Sequence, residues 1–157
     1  MVVAVLSAKH TSTPIVVVSR VTTLTGGGGS VHPMSEKPHV YVPAGEAPPA
    51  EMVIEDIEVG EGEEAKAGHN VEVHYAGNAW STRQQFDASW DRGDVFSFGL
   101  GRGQVISGWD EGVAGMKVGG RRRITIPPSK GYGKAGAGGV IKGGETLVFV
   151  VDLLGVG

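Results

Sequence analysis

An α+β domain, an antiparallel sheet with one short helix laid against it, is the architecture this sequence predicts. Three observations carry the prediction. Five stretches between residues 51 and 157 alternate apolar and polar residues or run apolar over strand-like lengths. One segment alone repeats its apolar residues at helical spacing. Twenty-seven glycines and eight prolines in 157 residues imply many turns and few long helices.

In chain order, Met52-Val-Ile-Glu-Asp-Ile-Glu-Val59 reads as a strand and Gly60-Glu-Gly62 as the turn after it. Val71-Glu-Val-His-Tyr75 alternates cleanly, with Val71, Val73 and Tyr75 on one face. Phe96-Ser-Phe98 is a short alternating piece. Val105, Trp109, Val113 and Met116 recur at helical spacing; Ser107 with Asp110 suggests a capping box, and Gly115 a stop. Arg121-Arg-Arg-Ile-Thr-Ile126 puts Ile124 and Ile126 on one face, with Arg122 extending that row. Thr146 to Leu154 is almost continuously apolar, as expected of a central strand covered on both faces.

The first 50 residues differ in kind. Residues 1–33 hold no Asp or Glu, and Lys9, His10 and Arg20 interrupt their apolar runs. A secretory leader with a basic start and continuous apolar core is therefore not expected. Gly26-Gly-Gly-Gly-Ser30 lies just before Met34, as a purine-rich ribosome-binding site read in frame would produce. Residues 1–33 are thus expected to be a disordered tail or an over-extended reading frame, the alternative being a Gly/Ser linker. Residues 34–50 carry Pro38, Pro43, Pro48 and Pro49 and read as an extended segment, with the folded domain over 51–157.

Composition excludes several functions. No cysteine means no disulfide, no Cys–Zn site and no thiol nucleophile, and it suits a reducing, cytoplasmic setting. A net charge of −3 argues against nucleic acid, and no apolar run is long enough for a membrane span. The histidines lack metal-site spacing, so no metal and no cofactor is expected. The serines lack a nucleophile elbow. Gly99-Leu-Gly101-Arg-Gly103 misplaces its third glycine for a nucleotide fingerprint and reads as a turn. Arg121-Arg122-Arg123 reads as a solvated edge whose members point to opposite faces.

What remains is the aromatic set. Of ten rings, Tyr41 stands alone and nine fall between Tyr75 and Phe149. They could form an ordinary core or line an apolar pocket. The motifs around them decide. His74-Tyr75-Ala-Gly77, Phe86-Asp87-Ala-Ser89, Gln104-Val-Ile-Ser-Gly-Trp-Asp-Glu-Gly112, Met116-Lys-Val-Gly119, Ile126-Pro-Pro-Ser-Lys-Gly-Tyr-Gly133 and Thr146-Leu-Val-Phe149 follow one another in order. This series closely resembles the FKBP-type peptidyl-prolyl cis–trans isomerases, the immunophilins or rotamases that bind tacrolimus and rapamycin, from about Glu51 to Gly157.

The resemblance implies a curved antiparallel sheet of about five strands wrapped around the short helix, with an apolar pocket between them. It implies peptidyl-prolyl isomerase activity on proline-containing polypeptides, in the service of protein folding, by a monomer. Tyr75, Phe86, Asp87, Trp109, Tyr132 and Phe149 would carry the reaction, and Arg92, Phe96, Val105, Ile106 and Ile141 would complete the substrate site. Trp109 would form the floor, Tyr132 and the Ile106 N–H would meet substrate carbonyls, and Asp87 would be held by Arg92 and Tyr75. Three places depart from the family. The loop from Gly133 to Gly144 has more glycine and less proline than most relatives, which implies a floppier loop. Trp90 adds a ring expected at the rim, and Lys130 replaces an aromatic. The altered loop leaves a second reading, a binding module that docks a partner or macrolide without relevant catalysis. A multi-domain chaperone would need an insertion between Phe86 and Phe98, where there is no room.

Overall fold

The computed structural model describes residues 37–137 and 141–157, together with the backbone of 15–18. Residues 1–14 and 19–33 of the expected tail, and 34–36 of the proline-rich segment, lie outside the described residues.

The strands are β1 Ile15–Val18, β2 Met52–Glu58, β3 Asn70–Ala79, β4 Gln85–Ala88, β5 Phe96–Gly99, β6 Arg121–Ile126 and β7 Leu147–Val156. They form one sheet in the order β1-β2-β6-β7-β3-β4, with β5 also paired to β3. All pairs are antiparallel except β1 with β2. The α+β class therefore holds, with β1 and β4 beyond the five expected strands. Gln85–Ala88 holds a single large apolar residue, Phe86, so no alternating apolar face marks it as a strand.

The long central pair is β3 with β7, running from Val71 opposite Val156 to Ala79 opposite Leu147 with a bulge between Glu72 and Val73. Leu147 through Leu153 is buried at every position, as the continuous apolar run requires. Its two faces meet different partners. Leu147, Phe149, Val151 and Leu153 join the main core. Val148 and Val150 point to the back face, where Val40, Val42, Ala76, Ala88, Trp80 and Trp90 cover them. The proline-rich segment thus lies along the back of the sheet. Asn78 Nδ2 donates to the Val40 carbonyl at 3.3 Å, and Trp80 Nε1 to that of Glu46 at 2.9 Å.

Two helical turns accompany the sheet, α1 Ser89–Arg92 and α2 Ser107–Gly112, with a 3₁₀ turn at Pro128–Lys130. Helix α2 packs on the inner face with Trp109 fully buried. A glycine is needed at the contact, because a Cβ on Gly108 would lie 2.7 Å from the Ile126 side chain. The helix is shorter than its apolar spacing suggested, ending at Gly112 rather than at Gly115. The capping box does not form. Ile106 is the N-cap and makes no side-chain cap bond. Ser107 instead reaches the Lys130 carbonyl at 3.4 Å. Asp110 accepts the backbone N–H groups of Gly101 and Gly103 at 2.8 and 3.0 Å, bracing the preceding glycine turn.

The arginine run is not a solvated edge. Strand β6 lies inside the sheet between β2 and β7, so each guanidinium must be paired. Arg121 grips buried Asp152 through two bonds of 2.6 and 2.8 Å on the back face. Arg122, on the opposite face as alternation demands, binds Asp56 at 2.6 Å and the carbonyls of Gly112, the last residue of α2, and of Ala114 just past it. Arg123 lies 3.5 Å from Glu55. Among the described residues no helix is long and apolar enough to cross a membrane.

Candidate active site

The site lies where the inner face of β3, β4, β5 and β7 meets α2. Alternation along β3 points Val73 and Tyr75 inward, and Phe149 of β7 stands beside them. Trp109, on the first turn of α2, is the hub. Its ring lies 4.8 Å from Tyr75, 5.3 Å from Phe149, 5.8 Å from Phe96 and 5.6 Å from Phe98, between centroids. Three of the four contacts are edge-to-face, the arrangement that ring quadrupoles favour. Phe86 stands edge-on to Phe149 at 5.5 Å. This approach depends on Gly77 between them, since a Cβ there would come within 2.6 Å of Phe149 and 2.8 Å of Phe86.

The polar corner is built from three elements. Tyr75 donates its hydroxyl hydrogen to Asp87 Oδ2 at 2.5 Å. Arg92 of α1 binds Asp87 Oδ1 and also donates to the Tyr75 oxygen at 2.9 Å. The guanidinium carbon lies 5.6 Å from the Tyr75 ring centre. Burial, reinforced by the acceptor carboxylate, pushes the Tyr75 hydroxyl far above its ordinary value. Burial opposes the Arg92 charge, but its bonds to Tyr75 and Asp87 outweigh this and raise its pKa. The carboxylate of Asp87 is thus held on two sides within an apolar wall.

Helix α1 is pinned from behind. Ser89 Oγ accepts the Tyr75 backbone N–H at 2.7 Å and lies 2.8 Å from His74 Nδ1. Trp90 stacks on His74 at 4.9 Å. The expected place of Trp90 at the rim is therefore wrong. A one-turn helix sends residue 90 to the back face while residue 92 faces the site.

Tyr132 sits half-buried beyond the 3₁₀ turn. Its hydroxyl oxygen is fully buried and has no hydrogen-bond partner among the described residues, and the same is true of Trp109 Nε1. Burial, with lesser contributions from Tyr75 and Asp87, pushes the Tyr132 hydroxyl well above the ordinary tyrosine range. The described ends of the Gly133–Gly144 loop are stitched together. Ala137 and Ile141 exchange backbone bonds of 2.8 and 3.0 Å, and Gly144 N–H donates to the Gly133 carbonyl. Residues 138–140 lie outside the described residues.

All eleven site residues named from the sequence therefore meet in one continuous cluster. Val105, Ile106 and Ile141 complete it as buried aliphatic walls. Two members were not anticipated. Phe98 packs against Phe96 at 5.6 Å and against Trp109, and its two-residue spacing from Phe96 was the available signal. Lys130 is buried in full and paired with Glu111 on α2 at 2.5 Å, tying the segment before Tyr132 to the helix that carries Trp109.

Comparison with known proteins accords with this geometry. The family model described as FKBP-type peptidyl-prolyl cis-trans isomerase matches residues 61–154. An FK506-binding protein of Streptomyces anulatus is 59% identical over 122 residues, covering 77% of this chain and 98% of the relative. A probable FK506-binding protein of Corynebacterium glutamicum is 52% identical over 119 residues, covering 76% and 98%. Among solved structures, that of AtFKBP13 superposes with a TM-score of 0.64 at 34% identity, covering 70% of this chain and 96% of that one. FkpA from Escherichia coli gives 0.62 at 38% identity, covering 78% of this chain but 53% of its own. With the sheet, the ring cluster around Trp109 and the matched sequence in agreement, the chain belongs to the FKBP-type peptidyl-prolyl cis–trans isomerases and is an enzyme of that class.

Proposed function

We propose that the enzyme binds the prolyl ring of an X–Pro segment against Trp109 and accelerates rotation by favouring the twisted amide. Resonance holds the peptide bond planar with a barrier of about 18–20 kcal/mol. Rotation breaks no covalent bond, so neither a nucleophile nor a general base is required. The planar amide is charge-separated, and an apolar, water-poor wall of Phe86, Phe96, Val105, Ile141 and Phe149 favours the less polar twisted state. Binding that state more tightly than the planar one is itself the catalysis.

The observation that carries this reading is the Tyr132 hydroxyl, buried beside the rings with no hydrogen-bond partner among the described residues. A donor desolvated in this way gains most when a substrate carbonyl arrives. The Ile106 N–H, just ahead of α2, would take the next carbonyl along the substrate. The Tyr75–Asp87–Arg92 corner would orient the wall nearest the rotating amide. Slow X–Pro isomerisation limits folding, so the role is that of a folding assistant for proline-containing polypeptides. Because its relatives are named for binding FK506, the same site should accept tacrolimus, and rapamycin by the same contacts. The proposal takes the enzyme to work as a monomer, and in the cytoplasm, a reducing setting that a chain without cysteine suits.

NMR exchange on short X–Pro peptides tests the reading. Exchange faster than the uncatalysed control is expected. Control rates from folded protein that still captures a partner tightly would favour the docking-module alternative. Tacrolimus binding followed by fluorescence should report on Trp109, with Trp109→Leu separating it from Trp80 and Trp90 on the back face.

A further inference from the structure

Beside the proposed prolyl site lies a groove of about 420 Å³ that the reaction as described does not use. Its walls are Thr82, Gln84, Gln85 and Phe86 on one side and Lys142 and Glu145 on the other. It is continuous with the ring cluster at two points. Phe86 is a wall of both, with its ring edge on Phe149. Ile141 is buried in the cluster, and the next residue, Lys142, is exposed in the groove. Because Phe86 lines both, an extended chain that crosses its ring passes from the prolyl site into this groove.

The charges of the groove are unevenly committed. Glu145 is buried, and its carboxylate accepts the Ser81 N–H at 2.9 Å and the Ser81 hydroxyl at 2.6 Å. Gln85 Nε2 donates to Asp91 at 2.7 Å. Lys142 has no ion-pair partner among the described residues.

We infer that the groove is a subsite for the substrate chain flanking the proline, and that Lys142 selects an acidic side chain there. The occupant is the same extended polypeptide whose X–Pro bond is turned. The inference rests on the proposed isomerase reading of the neighbouring site. The pairing is exposed, so it tunes preference rather than setting overall affinity.

The test uses X–Pro peptides carrying Glu, Gln or Lys in turn at each of two positions before and after the dipeptide. NMR exchange gives kcat/KM and chemical-shift titration gives Kd for each. At one of these positions Glu should exceed Lys by about two- to fivefold in wild-type enzyme, screened by added salt. Lys142→Glu should reverse the order, and Lys142→Gln should remove it. The same Glu-over-Lys order in wild type and Lys142→Glu would overturn the subsite, as would no charge preference at any position. Uncatalysed rates throughout would instead overturn the isomerase reading. The Kd series would still decide for or against Lys142.

Discussion

A buried hydroxyl without a partner costs stability in the free protein and repays it only when a substrate fills the gap. Among the described residues, Tyr132 is such a group. Tyr132→Phe should therefore separate two quantities that usually fall together. We expect kcat/KM to drop by about two- to tenfold, the worth of one neutral hydrogen bond. Thermal melting should show a Tm equal to or above wild type. The pH profile follows from the same residue. Its pKa is raised, so the protonated, donating form persists to higher pH than in a free tyrosine. Activity should hold through about pH 10, where an ordinary tyrosine is half ionised. Asp87 predicts differently, because it is bonded on both sides. Asp87→Val releases Arg92 toward solvent and leaves the Tyr75 hydroxyl without its acceptor. Roughly a tenfold loss in kcat/KM is expected, with the circular dichroism of a folded domain retained. Wild-type turnover in this variant would remove Asp87 from the mechanism.

At the scale of elements, the contact between α2 and the turn before Tyr132 is the least expected feature. Buried Lys130 and partly buried Glu111 form an ion pair across it, while Ser107 reaches the Lys130 carbonyl. Removing one partner of such a pair costs more than replacing the pair with apolar groups. Glu111→Gln should destabilise by about 1–3 kcal/mol, since Glu111 is partly exposed. A Lys130→Met/Glu111→Leu double variant should lie closer to wild type by chemical denaturation. If the double variant is the less stable of the two, the pair contributes more than its desolvation costs. The sequence signalled Lys130 only as a departure from related chains. Its burial follows from the 3₁₀ turn, which rolls residue 130 under the loop. Ser107 and Asp110 show the same limit. Their three-residue spacing suits a capping box, but the glycine turn and the Lys130 carbonyl compete for them and win.

For the molecule as a whole, the sheet has two covered faces, and the second is covered from outside the matched segment. Residues 37–50 bring Val40 and Val42 onto Val148, Val150 and Trp80. Burying a valine contributes about 1.5–3 kcal/mol. Val40→Ser with Val42→Ser should lower Tm by several degrees while leaving tacrolimus affinity near wild type, because the site faces the other way. An equal loss of affinity would mean that the back face and the site are coupled. His74 sits on the same face, between Trp90 and Ser89. Burial depresses its pKa, and Asp152 only partly opposes this. The unfolded chain then binds more protons around and below pH 6.5, so this contribution is complete above that pH and is lost on acidification. Tm measured from pH 8 to pH 5 should fall through this region, and more shallowly in His74→Gln.

The strands at Met52, Val71, Phe96, Arg121 and Leu147, the helix around Trp109 and the identity of the site's rings were all legible in the sequence. Period-two and period-3.6 patterns are local, and each is written within a dozen residues. The series of motifs added the order in which those pieces come together. What only the tertiary structure decided is non-local. It made β6 an interior strand, so that three arginines became three ion pairs. It turned Trp90 to the back face, because two residues, about half a helical turn, separate it from Arg92. It laid the proline-rich segment over Val148 and Val150. The aromatic rings illustrate both halves. Their clustering along the chain was compatible with either a core or a pocket. The fold gathers seven of them into a cup centred on Trp109, sends Trp80 and Trp90 to the back face, and leaves the Tyr132 hydroxyl in the cup without a partner among the described residues.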